Sequence, residues 1–218
     1  MGKKDKENLE KVYEKPGAVW TEREAPKELI ELIETGKIKP CKVIDIGCGE
    51  GFYSIYLSSK GFDVTGIDIS ENAIKYAKEN AKKRGVKVRF IAMDIKDLSQ
   101  LREKFDFILE WAVMHHILPP QRKKYIEDVN KRLNKNGIYL SISFNDQNPD
   151  FNGIGKKYRI IPKNSGMPEG TQLYFSSLEE LKNLFNPYLK IIDVKLIKMT
   201  TGSRPHIGNY IFMEKKLE

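Results

Sequence analysis

Seven consecutive residues, Asp45-Ile46-Gly47-Cys48-Gly49-Glu50-Gly51, set three alternate glycines between and beside two carboxylates. Glycines let a backbone turn tightly and approach a ligand with no Cβ in the way. An acid ahead of the first glycine works against a bound phosphate. It favours a cationic group instead, such as the amino group of a bound amino acid. Asp68 lies about 20 residues further on, where a carboxylate at a strand tip can accept both hydroxyls of a ribose. The rival is a nicotinamide dinucleotide site, whose Gly-x-Gly-x-x-Gly fingerprint brings a helix amino terminus to a pyrophosphate. Here the third glycine comes one residue early.

A second group of residues could act on a substrate. His115 and His116 form a pair, and an unperturbed imidazole titrates near neutrality, so either can serve as a base or orient a substrate. His206 and Arg204 fall in a turn-prone segment, TTGSRP, and its flank. Tyr158, Arg159 and Tyr174 lie in a long irregular stretch and are candidate substrate contacts. Tyr13 and Trp20 stand in an otherwise polar amino-terminal arm. They need an apolar partner, either a bound ligand or the outer edge of a sheet. Cys41 and Cys48 are too few for a disulfide framework and lack the neighbours of a metal site, so both are taken as ordinary thiols and no metal is expected.

The elements that must carry these residues alternate. PKELIELIET (26–35) places Leu29, Ile30, Leu32 and Ile33 on one stripe, with Pro26 at its first turn and Gly36 at its end. Short β-branched or apolar runs stand at 42–46, 62–68, 86–94, 105–111 and 138–144. Helices are expected between them at 52–60, 71–84 and 121–133, the second capped by Ser70 and closed by Gly85. Asn136-Gly137 reads as a turn before the fifth strand. Strands alternating with helices imply a parallel sheet covered on both faces. Residues 145–175 break this rhythm and suit a lid or binding loop. A helix at 177–186 and two strands at 189–197 and 206–213, with no helix between them, then predict an antiparallel pair.

The 218 residues suit one α/β domain. The formal charge is +8, from 38 basic and 30 acidic residues. Such an excess can support nucleic-acid binding, but acids are interspersed with the bases along most of the chain. The densest basic runs, Lys82-Lys83-Arg84 and Arg122-Lys123-Lys124, are expected on solvated helix faces. No run approaches the roughly 18 apolar residues of a membrane span. The first fifteen residues lack an apolar signal region, and a cytoplasmic location is expected.

VIDIGCGEG and VTGIDIS resemble the first two motifs of class I S-adenosylmethionine (SAM)-dependent methyltransferases. IAMDIKDL, FDFILEWAVMHHI and LNKNGIYLSIS are similar to the next three segments of that family, in the right order over roughly residues 40–145. The resemblance implies a Rossmann-like seven-stranded sheet of order 3-2-1-4-5-7-6, with strand 7 antiparallel and helices on both faces. It implies SAM as the cofactor. Gly47, Cys48, Gly49 and Gly51 would line its methionine part, Asp45 would hold its amino group and Asp68 its ribose. Ile69 would pack on adenine, with Asp94 and Ile95 at the far edge and Trp20 as a cover. SAM carries no phosphate, which agrees with the departure from the dinucleotide fingerprint. The implied organisation is an arm or cover at 1–25 and a methyltransferase domain at 26–218, with 145–175 as a substrate lid or loop.

A small-molecule acceptor is favoured within this class. The Asn/Asp-Pro-Pro-aromatic motif of amino-methylating nucleic-acid enzymes is missing after strand four, where Glu110-Trp111-Ala112 stands; Asn186-Pro187-Tyr188 falls elsewhere. Neither cysteine is placed as a cytosine-C5 nucleophile. The apolar WAVMHHI segment and the inserted loop are more like small-molecule enzymes, with a loose likeness to thiopurine- and tellurite-type members. An enzyme of the same fold acting on RNA or protein is the alternative.

Overall fold

The computed structural model describes residues 3–151, 156–163, 168–201 and 204–216. Its centre is a seven-stranded sheet built from β1 (Lys42–Ile46), β2 (Asp63–Asp68), β3 (Arg89–Ala92), β4 (Phe105–Trp111), β5 (Leu133–Phe144), β8 (Leu189–Thr201) and β9 (Arg204–Lys215). The spatial order is β3-β2-β1-β4-β5-β9-β8. Counting only these strands, that is 3-2-1-4-5-7-6, the order expected from the resemblance. β1 pairs in parallel with β2 and β4, and β9 runs antiparallel to both β5 and β8.

Alternate residues of the strands feed two cores. Ile44 and Ile46 of β1 and Ile67 of β2 join one core with Ile126 and Val129 of α5 (Pro119–Arg132) and Leu181 and Phe185 of α6 (Leu178–Phe185). Val43, Val64, Leu109 and Leu140 point the other way, onto Leu29 and Leu32 of α2 (Lys27–Glu34) and Leu57 of α3 (Phe52–Ser59). Both faces are therefore apolar, as a parallel sheet requires. On α4 (Glu71–Arg84), Ala73, Ile74, Ala77 and Ala81 form the buried stripe. Ser70 accepts from the Ala73 amide at 3.0 Å to cap it, and Gly85, at φ 67°, closes it.

Several expectations need correction. The amino-terminal arm carries a helix that the sequence reading did not assign: α1 spans Lys3–Val12, and the buried Asn8 donates to Thr171 Oγ1 at 3.2 Å. Asn136-Gly137 is no connecting turn. It lies inside β5, where the register against β4 jumps between Phe105 and Phe107 and Asn136 takes φ 61°. The irregular stretch holds a two-stranded antiparallel ribbon, β6 (Tyr158–Ile160) with β7 (Gln172–Tyr174). Arg122 is not on a solvated face. It is buried and donates to the carbonyls of Met114, Ile117 and Tyr174 and to Ser176 Oγ, tying the turn after β4 to β7. Among the described residues, no helix is long and apolar enough to cross a membrane.

Candidate functional site

β1, β2, β4 and β5 present their carboxyl ends to one cavity of about 490 Å3. Ligands of open parallel sheets bind outside the carboxyl ends of the strands, where the strand order reverses. The volume falls in the range of roughly 300–1,000 Å3 typical of small-molecule sites.

The turn after β1 explains its glycines. Gly47 has φ 72°, and a Cβ there would stand 2.2 Å from Val113 Cγ2, so neither the conformation nor the space admits a side chain. Asp45, in the strand just before, is buried and lines the cavity, and its Oδ2 accepts from Ser54 Oγ at 2.6 Å. Burial pushes its carboxyl up to about 7, only partly opposed by the Ser54 hydrogen bond, and the nearby Asp68 adds to the rise. Asp68, at the tip of β2, accepts from the amides of Gly49 and Ser70 at 2.9 Å each, one on each oxygen. Each carboxylate oxygen keeps further acceptor capacity. Burial raises its pKa, and the two amide hydrogen bonds oppose that rise.

The amino-terminal arm closes over this turn. Glu50 Oε1 accepts from the amides of Gly17 and Ala18 at 2.8 and 3.0 Å and from Thr21 Oγ1 at 2.8 Å. The Trp20 indole donates to the Tyr13 hydroxyl at 2.8 Å, and both rings line the cavity.

At the other end, β4 stops at Ala112, a non-glycine residue at φ 63°. Glu110, fully buried, organises the chain beyond this point: it accepts from the amides of Val113 and Met114, from the Tyr139 hydroxyl and from Ser141 Oγ. That network holds the short turn Met114–His116 against the cavity. His115 is buried and stacked on Phe144 at 4.2 Å, and among the described residues its Nδ1 has no partner. Burial drives its pKa well below the ordinary value, with His116 adding to the effect, so it stays neutral.

Six acids line the cavity: Glu22, Asp45, Glu50, Asp68, Asp94 and Asp150. Among the described residues, no Lys or Arg does. On a chain of net charge +8, that inversion marks a site for cationic or neutral ligands.

The sequence profile of a family described as "Methyltransferase domain" matches residues 37–186, more than half of the chain. The chain belongs to that family. Two curated relatives are similar over part of the chain. One is the "Probable S-adenosyl-L-methionine-dependent methyltransferase TehB" of Haemophilus influenzae, 32% identical over 114 residues, which are 52% of this chain and 40% of that protein. The other is the ubiquinone biosynthesis O-methyltransferase of Coxiella burnetii, 35% identical over 85 residues, 39% of this chain and 36% of the relative. The chain thus matches less than half the length of these two relatives. Among solved structures, the Burkholderia thailandensis 1,6-didemethyltoxoflavin-N1-methyltransferase, which holds S-adenosylhomocysteine, superposes with TM-score 0.74 at 21% identity. The match covers 98% of this chain and 88% of that one. This likeness concerns the fold.

Within this methyltransferase domain, most residues singled out from the sequence converge on the cavity. Asp45, Gly47, Cys48, Gly49, Asp68, Ile69, Asp94, Ile95, Trp20, His115, His116 and His206 all line it. Gly51 does not. At φ 81° it turns beneath the loop, where a Cβ would meet Phe90 and Ala77 within 3.0 Å. Three expected acceptor contacts also stand elsewhere. Tyr158 is exposed on the ribbon. Tyr174 donates to Glu180 Oε1 at 2.8 Å. Arg159 is buried as a clamp on the carbonyls of Asp146, Asn148, Asp150 and Lys156. The side chain of Arg204 lies outside the described residues. Glu50, Phe144 and Asp150 are site residues that sequence reasoning missed, although Glu50 sits inside the glycine motif and Phe144 ends a strand whose tip faces the cavity.

Proposed function

We propose that the chain transfers a methyl group from SAM to a small-molecule acceptor by in-line displacement. The observation that carries this is the acid-lined cavity, without a described Lys or Arg, at the strand ends of a methyltransferase domain. SAM supplies an electrophilic methyl on a cationic sulfur, so the leaving sulfide departs neutral. The residues fit such a ligand. Asp45 would take the amino group, Gly47, Cys48 and Gly49 leave room for its chain, and Asp68 keeps acceptor capacity for the ribose. Ile69, Asp94 and Ile95 would frame the adenine. Residues 1–25 would act as a cover latched by Glu50 and 26–218 as the catalytic domain, and from the 145–175 segment Asp150, Phe151 and Leu173 would frame the acceptor end, where His115 and His116 stand.

Positioning two reactants in line can supply roughly 7–11 kcal/mol of a barrier, so this cavity does most of its work by alignment. A polymeric nucleic acid is disfavoured because no described Lys or Arg faces the cavity to neutralise phosphates. The test is transfer of labelled methyl from SAM into fractionated cell extract. Label is expected in the small-molecule fraction. Label confined to RNA or protein would overturn the small-acceptor assignment.

A further inference from the structure

The chain has three histidines, and all three stand in one column of rings on the cavity wall. His116 lies 4.6 Å from His115, His115 lies 4.2 Å from Phe144 at 14°, and Phe144 lies 4.8 Å from His206 at 29°. Two of them come just after β4 and the third opens from β9. The order β4-β5-β9, with Phe144 ending β5, brings them together.

The members of this column differ in what they can do. His115 is buried, neutral and, among the described residues, without a partner at Nδ1, so it contributes a flat ring and no charge. His206 has a carboxylate: Asp150 Oδ2 lies 2.8 Å from its Nδ1. An ionised carboxylate only accepts, which places the proton on Nδ1 and leaves Nε2 with a lone pair. The same carboxylate stabilises the imidazolium that forms once Nε2 takes a second proton. Among the described residues, the titratable groups that face this ring include Asp150 and, across Phe144, His115.

The cavity also selects the charge of what enters. Six acids and no described Lys or Arg would repel an acceptor that arrived as an anion. An acidic acceptor is therefore favoured in its neutral form, and losing its proton in place calls for a base inside the site.

We infer that His206, oriented by Asp150, is that base, and that the acceptor is an uncharged, flat aromatic ring bearing an acidic hydroxyl. This rests on the methyltransferase assignment above. The ring lies against the wall of Phe144, His115 and Trp111, the last braced edge-on by Tyr53 at 5.7 Å. The hydroxyl proton passes to His206 Nε2, and the freed oxygen pair forms the bond to the methyl carbon. The carbon–sulfur bond breaks with its electrons going to sulfur, and the imidazolium later releases its proton to solvent.

The test uses 4-nitrophenol, whose ionised form is coloured, added to the protein already complexed with S-adenosylhomocysteine. 4-Nitrophenyl phosphate serves as the anionic control. Saturable binding of the phenol and exclusion of the phosphate ester are expected. The bound phenol should ionise at a pH lower by about one unit or more than in the His206→Asn protein, because the imidazolium–phenolate pair is lost there. Asp150→Asn should give an intermediate midpoint, while Phe144→Leu should weaken binding without moving it. With SAM, His206→Asn should lower kcat for the phenol by about 10²- to 10⁴-fold. Binding of S-adenosylhomocysteine, which also reports folding, should not change in any of these variants. No aryl binding, equal binding of the phosphate ester, or identical ionisation midpoints in wild type and His206→Asn would overturn the inference and leave the methyltransferase assignment standing. Failure of S-adenosylhomocysteine to bind the wild type would bring down that assignment, and the inference with it.

Discussion

Asp45→Asn should make the protein more stable and worse at its task. The Asp45 carboxyl is buried, lines the cavity and is pushed up to about 7 by that burial. In the unfolded chain it titrates at about 3.9, the ordinary value. An acid whose folded pKa is raised binds its proton more tightly in the folded state, so its contribution is most favourable at low pH. Stability is lost as pH climbs from the unfolded value to the folded one and is level above it. A rise of this size corresponds to at most about 4 kcal/mol at pH 8, of which about 2–3 kcal/mol accrues between pH 5 and 8. Asparagine carries no such cost and can still accept from Ser54 Oγ, now 2.6 Å from Oδ2. Urea unfolding of both proteins near pH 5 and pH 8 should show the variant's advantage growing with pH. At the same time, losing a charged hydrogen bond to an amino group should weaken S-adenosylhomocysteine binding by about 1.5–3 kcal/mol, roughly ten- to a hundred-fold. In the wild type, that affinity should rise with pH through about 7 and then level off, because the ligand selects the ionised carboxylate. An Asn variant that binds as tightly as the parent would refute the binding half, and one whose relative stability is flat with pH would refute the stability half.

Three further substitutions probe the parts that hold the site. Gly47→Ala should cost about 1–3 kcal/mol of stability and disturb the turn, because its Cβ would strike Val113; thermal melting and S-adenosylhomocysteine titration check this. Glu110→Ala leaves two amides and two hydroxyls without their acceptor. A loss of about 3 kcal/mol or more is expected in urea unfolding, and a loss under about 1 kcal/mol would contradict the role given to this buried carboxylate. Glu50→Ala should free the arm, read as faster hydrogen exchange at the Gly17 and Ala18 amides and faster release of S-adenosylhomocysteine, with the sheet amides unaffected.

The central sheet was legible because alternating β-branched runs and amphipathic helices have different periods, and because Gly47, Asp68 and Asp94 fall at strand ends in a fixed order. The elements that escaped had no period to show. β6 and β7 are three residues each, too short for alternation. α1 is mostly charged and is held by contacts distant in sequence, such as Glu10 accepting from the Asn72 amide at 3.0 Å. Arg122 and Arg159 read as surface or ligand contacts because an arginine is usually solvated. Here their several donors fold inward onto backbone carbonyls of the loops and of β7. The histidine column was invisible for a different reason. His206 meets His115 across Phe144, and that contact depends on β9 inserting beside β5. Asp150 gave no signal until its partner was in place.

The most direct measurement is calorimetric titration of the wild-type protein with S-adenosylhomocysteine, set beside NAD as the competing nucleotide. Saturable heat from the first, with one site per chain, and none from the second is the predicted result. Heat from the dinucleotide alone would mean that this acid-lined turn does not cradle a sulfonium nucleoside.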